Sequence, residues 1–244
     1  MLSRILILHC GPMKTGSTAI QDLLMEQRDA LLKLGISYHH IRAKTLQQQL
    51  CSVLAQENES QNRVILLSSE FFAQVNPASL LPILSKYENY EKHAVFCARP
   101  LKDLYPSLYL QNLKGSSMRT TSFKEFLDIQ VLSDEHPADR RAGQIFNFKY
   151  LDERLSGLGF STHWMMYSRQ ALVNDFLKLL AALSGASLQM LYRVPHRPPV
   201  GVSPRRSLRM EFSGIARLIN YLTKRSFLTC RQRKMFLITL LNLS

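Results

Sequence analysis

The chain has 244 residues, 46% of them hydrophobic, so its length predicts one domain with a buried core and room for a small appendage. No apolar run is long enough to span a bilayer, and no secretory signal precedes the first apolar run. The four cysteines lack CxxC pairs and metal-ligand spacing. We therefore expect reduced thiols, no bound metal and a cytoplasmic location.

The net charge of +13 is concentrated near the end of the chain. Residues 190–244 contain eleven Lys and Arg against one acid, Glu211. Such a block suits a nucleotide phosphate, a polyanionic acceptor, nucleic acid or an anionic membrane surface, and charge alone does not choose among them.

Apolar runs along the chain alternate with amphipathic segments. Buried strands are predicted at residues 5–8, 64–67, 94–97 and 160–167. The adjacent His39 and His40 lie near a further predicted strand, where they either face a site or belong to a polar loop. Periodicity and capping residues predict helices at residues 18–34, 44–62, 77–88, 104–114, from 122, 143–156 and 170–183, and two more within 205–243. This alternation predicts an α/β fold with a central parallel sheet flanked by helices.

The loop between the first strand and the first helix has the composition of a phosphate-binding loop. The segment Leu8–Gln21 reads LHCGPMKTGSTAIQ, with glycines at 11 and 16, one lysine, and three hydroxyl side chains. Glycines let backbone N–H groups approach an anion, and the helix N-terminus adds free donors. A Walker A loop has its lysine directly after the second glycine, but Ser17 stands there and the lysine is Lys14. The sequence therefore disfavours an ordinary magnesium-dependent ATPase or GTPase.

The pattern GPMKTGST resembles the 5′-phosphosulfate loop of the P-loop sulfotransferases, most closely their bacterial and carbohydrate-type branches. These enzymes have a three-layer P-loop fold and transfer a sulfuryl group from 3′-phosphoadenosine 5′-phosphosulfate (PAPS) without a metal. The resemblance implies that Lys14 stabilises the leaving group. It also implies that the co-substrate is bound by Gly11, Lys14, Thr15, Gly16, Ser17 and Thr18.

Two further positions match the family's second PAPS motif. Arg99 follows the strand at 94–97, and Ser107 stands eight residues later in RPLKDLYPSLY. The resemblance implies that this pair holds the 3′-phosphate, and an arginine at a strand end can donate two hydrogen bonds to a phosphate.

Glu70 is the candidate general base. It follows two serines at the end of the strand at 64–67, where an open α/β sheet places its chemistry. Transfer to a hydroxyl requires removal of the acceptor's proton, and a positioned carboxylate performs this step. The family has a histidine or glutamate in this role.

The end of the chain departs from the family. The glycine-rich RKGxxGxxK segment that closes the nucleotide site in the branch acting on small molecules is missing, and Arg197, Arg205 and Arg206 are the candidates to replace it. We therefore expect a sulfotransferase-like domain at 1–192, with a proline-rich linker and basic helices at 193–244 packed on the same domain.

The sequence thus predicts a PAPS-dependent sulfotransferase that modifies an acceptor hydroxyl, on a carbohydrate and possibly an anionic glycan. No nucleic acid partner is expected, and the basic helices are candidates for peripheral membrane contact. Two alternatives remain open: an ATP-dependent P-loop kinase, and a polyanion- or nucleic-acid-binding protein that acts through its basic end.

Overall fold

The computed structural model describes residues 4–11, 14–41, 46–60, 62–70, 72, 77–114, 120–128, 148–193, 210–224 and 228–243. The strands are β1 (Arg4–His9), β2 (Ile36–His40), β3 (Val64–Ser68), β4 (Tyr90–Ala98) and β5 (Ser161–Met166). The helices are α1 (Ser17–Glu26), α2 (Arg28–Lys33), α3 (Leu46–Glu59), α4 (Pro77–Leu84), α5 (Leu101–Lys114), α6 (123–128), α7 (Phe148–Ser156), α8 (Leu172–Ser184), α9 (Leu188–Arg193), α10 (Ser213–Lys224) and α11 (Cys230–Leu243). None of the helices described is long and apolar enough to cross a bilayer.

The five strands form one parallel sheet in the order β2-β3-β1-β4-β5. The predicted α/β fold with a central parallel sheet flanked by helices is confirmed. β1 is the central strand, and the residues from Ile5 to His9 are all buried. A continuous apolar strand of this kind is typical of a sheet covered on both faces.

The core on one face of the sheet is formed by alternate strand residues and two helices. Ile5 and Ile7 of β1 pack in one buried cluster with Ile20 and Leu24 of α1 and Phe176 of α8. Because side chains alternate across a strand, His9 falls on this same face, and its ring lies 5.2 Å from that of Phe176. The helix that follows the phosphate-type loop is therefore anchored directly on β1.

Several predicted boundaries were wrong, among them the end of the helix predicted at 18–34, which is two helices, and the starts of β4 and α5. β4 begins at Tyr90, four residues before the predicted start. α5 begins at Leu101, because the carbonyl of Pro100 accepts hydrogen bonds from the N–H groups of Asp103 and Leu104. Pro106 therefore lies inside the helix, beyond the first turn to which the sequence confines it.

The chain separates into two compact units. The first contains residues 1–99 and 141–198 and holds the sheet, and the second contains residues 100–140 and 199–244. The domain division predicted near residue 192 stays a prediction.

Hydrogen bonds from the side chains of Asn220 and Arg233 join helices of the second unit, and we call this pair of side chains the polar pin. The side-chain amide of Asn220, in α10, donates to the carbonyl of Leu113 at the end of α5. The guanidinium of Arg233, in α11, donates to the Asn220 side-chain oxygen and to the Leu113 and Lys114 carbonyls. These contacts satisfy carbonyls that a helix end leaves without intrahelical partners.

The pin decides which side of α10 faces inward. Its buried residues are Ala216, Ile219, Asn220 and Thr223. The spacing of Ile215, Leu218, Ile219 and Leu222 predicts one stripe that faces inward. This is wrong in part, because Ile219 is buried whereas Ile215 and Leu218 are exposed. With Asn220 bonded to the end of α5, a large part of the apolar side of α10 turns outward.

We expect Asn220→Ala to lower the free energy of unfolding by about 1–3 kcal/mol, because it removes the link between α5, α10 and α11 and leaves buried polar groups unsatisfied. Urea denaturation measures the change. The matched control is Asn174→Ala on the exposed side of α8, which should stay within about 0.5 kcal/mol of the parent. Equal effects of the two substitutions would contradict the role of the pin.

Candidate functional site

The phosphate-type loop lies where the sheet order brings two other strand ends beside it. β1 pairs with β3 on one side and with β4 on the other. Glu70 follows β3, and Arg99 follows β4. The carboxyl ends of parallel strands meet at one edge of a sheet, and that edge holds the ligand sites of open α/β folds. The sheet order therefore places the candidate base and the candidate phosphate-binding arginine on opposite sides of the loop.

Two residues of the loop have a left-handed backbone conformation. Lys14 has φ 68° and Gly16 has φ 85°, and α1 begins directly afterwards at Ser17. A left-handed conformation is ordinary for glycine and unfavourable for lysine, so other contacts must hold Lys14 in place.

Both glycines occupy positions without room for a side chain. A Cβ on Gly11 would lie 2.5 Å from the Cβ of Ser17. A Cβ on Gly16 would lie 2.3 Å from Leu172 and 3.0 Å from the ring of Tyr167. The loop is therefore packed closely between its own helix and the turn after β5, and a side chain at either glycine would collide with them.

Arg99 holds the strained residue of the loop. Its Nη1 donates to the carbonyl oxygen of Lys14 at 2.9 Å, and its guanidinium carbon lies 4.9 Å from the ring centre of Tyr167. The stacking on Tyr167 fixes the plane of the guanidinium. Its Nε is buried and has no hydrogen-bond partner within the described part of the chain. The guanidinium therefore reaches the loop with donor capacity remaining.

Glu70 contacts the loop from the opposite side. The hydroxyl of Ser17 donates to Oε1 of Glu70 at 2.6 Å. Ser17 is buried, whereas Glu70 is half-buried. A charge-assisted hydrogen bond of this length orients the carboxylate at the start of α1.

A buried polar network lies next to this bond. Nδ1 of His9 is 2.8 Å from the hydroxyl of Ser68, to which the Gln21 amide also donates at 3.1 Å. Burial, and secondarily the charge of His40, lower the pKa of His9 to about 4. His9 is therefore neutral at physiological pH and supports the loop from within the core.

The other predicted residues lie in different surroundings. Thr15 is buried inside the loop, and Thr18 is exposed on the first turn of α1. Ser107 lies on α5, which belongs to the second unit, so its pairing with Arg99 stays a prediction. The candidate closing residues Arg197, Arg205 and Arg206 fall outside the described residues.

The two adjacent histidines have different environments. Nε2 of His39 lies 2.9 Å from Oε1 of Glu57 and 2.8 Å from the hydroxyl of Ser37, so His39 belongs to a structural cluster. His40 is exposed and lines a cavity of about 280 Å³ at the end of β2, together with Arg28. The N–H of the next residue, Ile41, donates to the Ser68 carbonyl at the end of β3. The cavity therefore opens at the same edge of the sheet as the loop.

Two residues that the sequence does not single out, Tyr167 and Leu172, close around Gly16. Tyr167 directly follows β5, and its N–H donates to the carbonyl of Ala98 at 2.7 Å, beside Arg99. Its position as the last residue of a predicted strand is the available signal, since strand ends on this edge carry the site.

Comparisons with known proteins include a similarity to a solved structure. No family model and no curated protein matches the chain. The chain is similar to the crystal structure of a sulfotransferase from Alicyclobacillus acidocaldarius, with 12% identity, a TM-score of 0.47, and coverage of 76% of this chain and 83% of that one.

We expect Gly16→Ala to destabilise the protein more than Gly35→Ala, by about 1–3 kcal/mol. Both glycines have positive φ, but a Cβ on Gly35 would meet nothing within 4 Å in the described part of the chain. Gly35→Ala therefore measures the backbone strain alone, which is about 1 kcal/mol. Gly16→Ala adds the collision with Leu172 and Tyr167 to that strain. Chemical denaturation measures both variants, and equal losses would contradict the close packing of the loop.

The neutral, buried His9 predicts a pH-dependent stability. The unfolded side chain binds a proton near pH 6.5 and the folded one near pH 4. Between these values the unfolded state binds more protons, so the free energy of unfolding falls as the pH is lowered from 6.5 towards 4, by about 3 kcal/mol in total. His9→Asn should flatten the stability curve across this window. Parallel curves for parent and variant would contradict the assignment.

Proposed function

We propose that this protein transfers a sulfuryl group from PAPS to the hydroxyl of an acceptor. The observation that carries the proposal is that Glu70 and Arg99 bond to opposite sides of a glycine loop whose lysine is Lys14. A phosphate-type loop, a carboxylate and an arginine within one constellation are what sulfuryl transfer from a phosphosulfate anhydride to a hydroxyl requires.

The loop and Arg99 are proposed to bind the nucleotide. The backbone N–H groups around Gly16 and of the first turn of α1, that of Ser17 included, would receive the 5′-phosphate, with the hydroxyls of Thr15 and Thr18 as further donors. The left-handed backbone of Lys14 and Gly16, directly before α1, supports this role, because successive N–H groups in such a turn form an anion-binding concavity. Arg99 and Ser107 are proposed to hold the 3′-phosphate, since a guanidinium can donate to a phosphate from more than one nitrogen.

The proposed reaction is an in-line displacement at sulfur. The acceptor oxygen forms a new bond to sulfur as the bond between sulfur and the bridging phosphate oxygen breaks, and adenosine 3′,5′-bisphosphate leaves. Glu70 takes the proton of the acceptor hydroxyl, and Lys14 stabilises the negative charge that develops on the bridging oxygen. The hydrogen bond from Ser17 would hold the Glu70 carboxylate toward the reacting hydroxyl.

The acceptor is proposed to be a carbohydrate hydroxyl, on an anionic glycan. The cavity at the end of β2 supports this class, because Arg28 and His40 line it together with the polar side chains of Gln49 and Ser52. β2 is separated from β1 by β3 alone, so the cavity lies on the Glu70 side of the loop at strand spacings of roughly 5 Å each. An acceptor seated there would approach Glu70 from the side opposite Arg99.

Substitutions should separate binding from chemistry. Glu70→Gln should retain the affinity for adenosine 3′,5′-bisphosphate and lower kcat of sulfuryl transfer by about 10²–10⁴-fold, because it removes the proton acceptor. Arg99→Ala should weaken bisphosphate binding by about tenfold or more, through the loss of a charge-assisted contact. Lys14→Ala should abolish transfer.

The measurements are calorimetry with the bisphosphate and a transfer assay with labelled PAPS on a panel of glycans, phenols and lipids. Arg63→Ala and Glu88→Gln, at exposed positions away from the loop, are the matched controls and should leave both quantities unchanged. Full transfer activity in Glu70→Gln, or parent affinity in Arg99→Ala, would overturn the corresponding role.

A further inference from the structure

The helix α10 turns a large part of its apolar side outward. Ile215, Leu218 and Tyr221 are 49%, 56% and 47% exposed. We call these three residues the outer face of α10. The inward side contains Ala216, Ile219, Asn220 and Thr223, so two of its four buried residues are polar. An amphipathic helix in a globular protein normally buries its apolar side, so this orientation requires a cause.

The polar pin supplies the cause. Asn220 donates to the Leu113 carbonyl and accepts from Arg233, and these bonds exist only while the Asn220 side of the helix faces α5 and α11. Rotating the outer face inward would break both bonds and leave a carbonyl at the end of α5 without this hydrogen-bond donor. The outward apolar surface is therefore held in place by the fold.

The neighbouring helix α11 also exposes large apolar side chains. α11 packs against α10, and its Met235 and Phe236 are 62% and 50% exposed. Large apolar side chains so exposed on two neighbouring helices mark an interaction surface more often than a free one.

The charge of this part of the chain selects the partner. Residues 212–244 contain six Lys and Arg and no Asp or Glu. Lys224 at the end of α10, and Arg231 and Lys234 on α11, are exposed. Apolar side chains flanked by cations are the composition of helices that lie in the interface of an anionic bilayer.

We propose that the outer face of α10 binds an anionic lipid surface, with Ile215, Leu218 and Tyr221 entering the headgroup region and the flanking cations contacting the lipid phosphates. A second copy of this chain is a poorer occupant, because a symmetric dimer through α10 would bring two such cationic segments together. The proposal is independent of the sulfuryl-transfer chemistry.

Vesicle co-sedimentation of the full chain tests the proposal, with phosphatidylcholine vesicles that either contain or lack phosphatidylglycerol. The protein should bind the anionic vesicles and not the neutral ones, and added salt should weaken the binding. Leu218→Asp should lower the partition coefficient at least tenfold, because it removes the buried apolar area. Lys224→Gln should lower it about fivefold through the loss of one cation.

The matched controls lie on α2 in the first unit. Leu32 is 50% exposed, and Leu32→Asp repeats the apolar substitution away from α10. Lys33→Gln repeats the loss of one exposed cation. Both controls should bind anionic vesicles as the parent does.

Three results would overturn the proposal. The first is no binding to anionic vesicles. The second is binding that Leu218→Asp leaves unchanged, which would make the attraction purely electrostatic. The third is a dimer in light scattering that Leu218→Asp dissociates, which would assign the outer face to a second copy.

Discussion

The hydrogen bond from Arg99 to the carbonyl of Lys14 is the interaction on which the site depends. Lys14 has a left-handed backbone that a lysine does not adopt without support. The bond fixes this peptide, and the stacking of Arg99 on Tyr167 fixes the arginine. On the other side of the loop, Ser17 bonds to Glu70. The conformation of the loop and the positions of the two candidate functional groups are therefore parts of one network.

The network gives a different task to the position that the lysine has in a Walker loop. In a Walker loop the lysine stands at the start of the helix, a place that Ser17 occupies here with its hydroxyl directed to Glu70. Lys14 stands earlier, at the bend of the loop. The chain thus uses the first turn of α1 to orient a carboxylate, which suits transfer to a hydroxyl that must lose its proton.

The sequence could predict the fold class and the residues at the strand ends, because a buried parallel strand is an uninterrupted apolar run and its last residues are polar. It could not predict the order of the strands, which depends on packing between residues far apart in the chain. That order brings Glu70 and Arg99 to opposite sides of the loop. The contact of Gly16 with Tyr167 and Leu172 spans about 150 residues of chain and was unreadable for the same reason.

The orientation of α10 shows the limit of periodicity in another way. The spacing of Ile215, Leu218, Ile219 and Leu222 correctly predicts a helix, but it assigns all four side chains to the core, and only Ile219 is buried. A buried amide, that of Asn220, turns the helix away from the predicted orientation because it satisfies the end of α5. Hydrophobic patterns identify an apolar surface without identifying what covers it.

The central claim is that the loop between β1 and α1 binds the nucleotide of a sulfuryl donor. Calorimetric titration of the parent protein with adenosine 3′,5′-bisphosphate, without magnesium, tests it most directly, with ATP and magnesium as the parallel titration. The account predicts saturable binding of the bisphosphate and weaker or no binding of ATP with magnesium. Binding of ATP with magnesium alone would contradict the account and favour a kinase, and binding of neither nucleotide would contradict both.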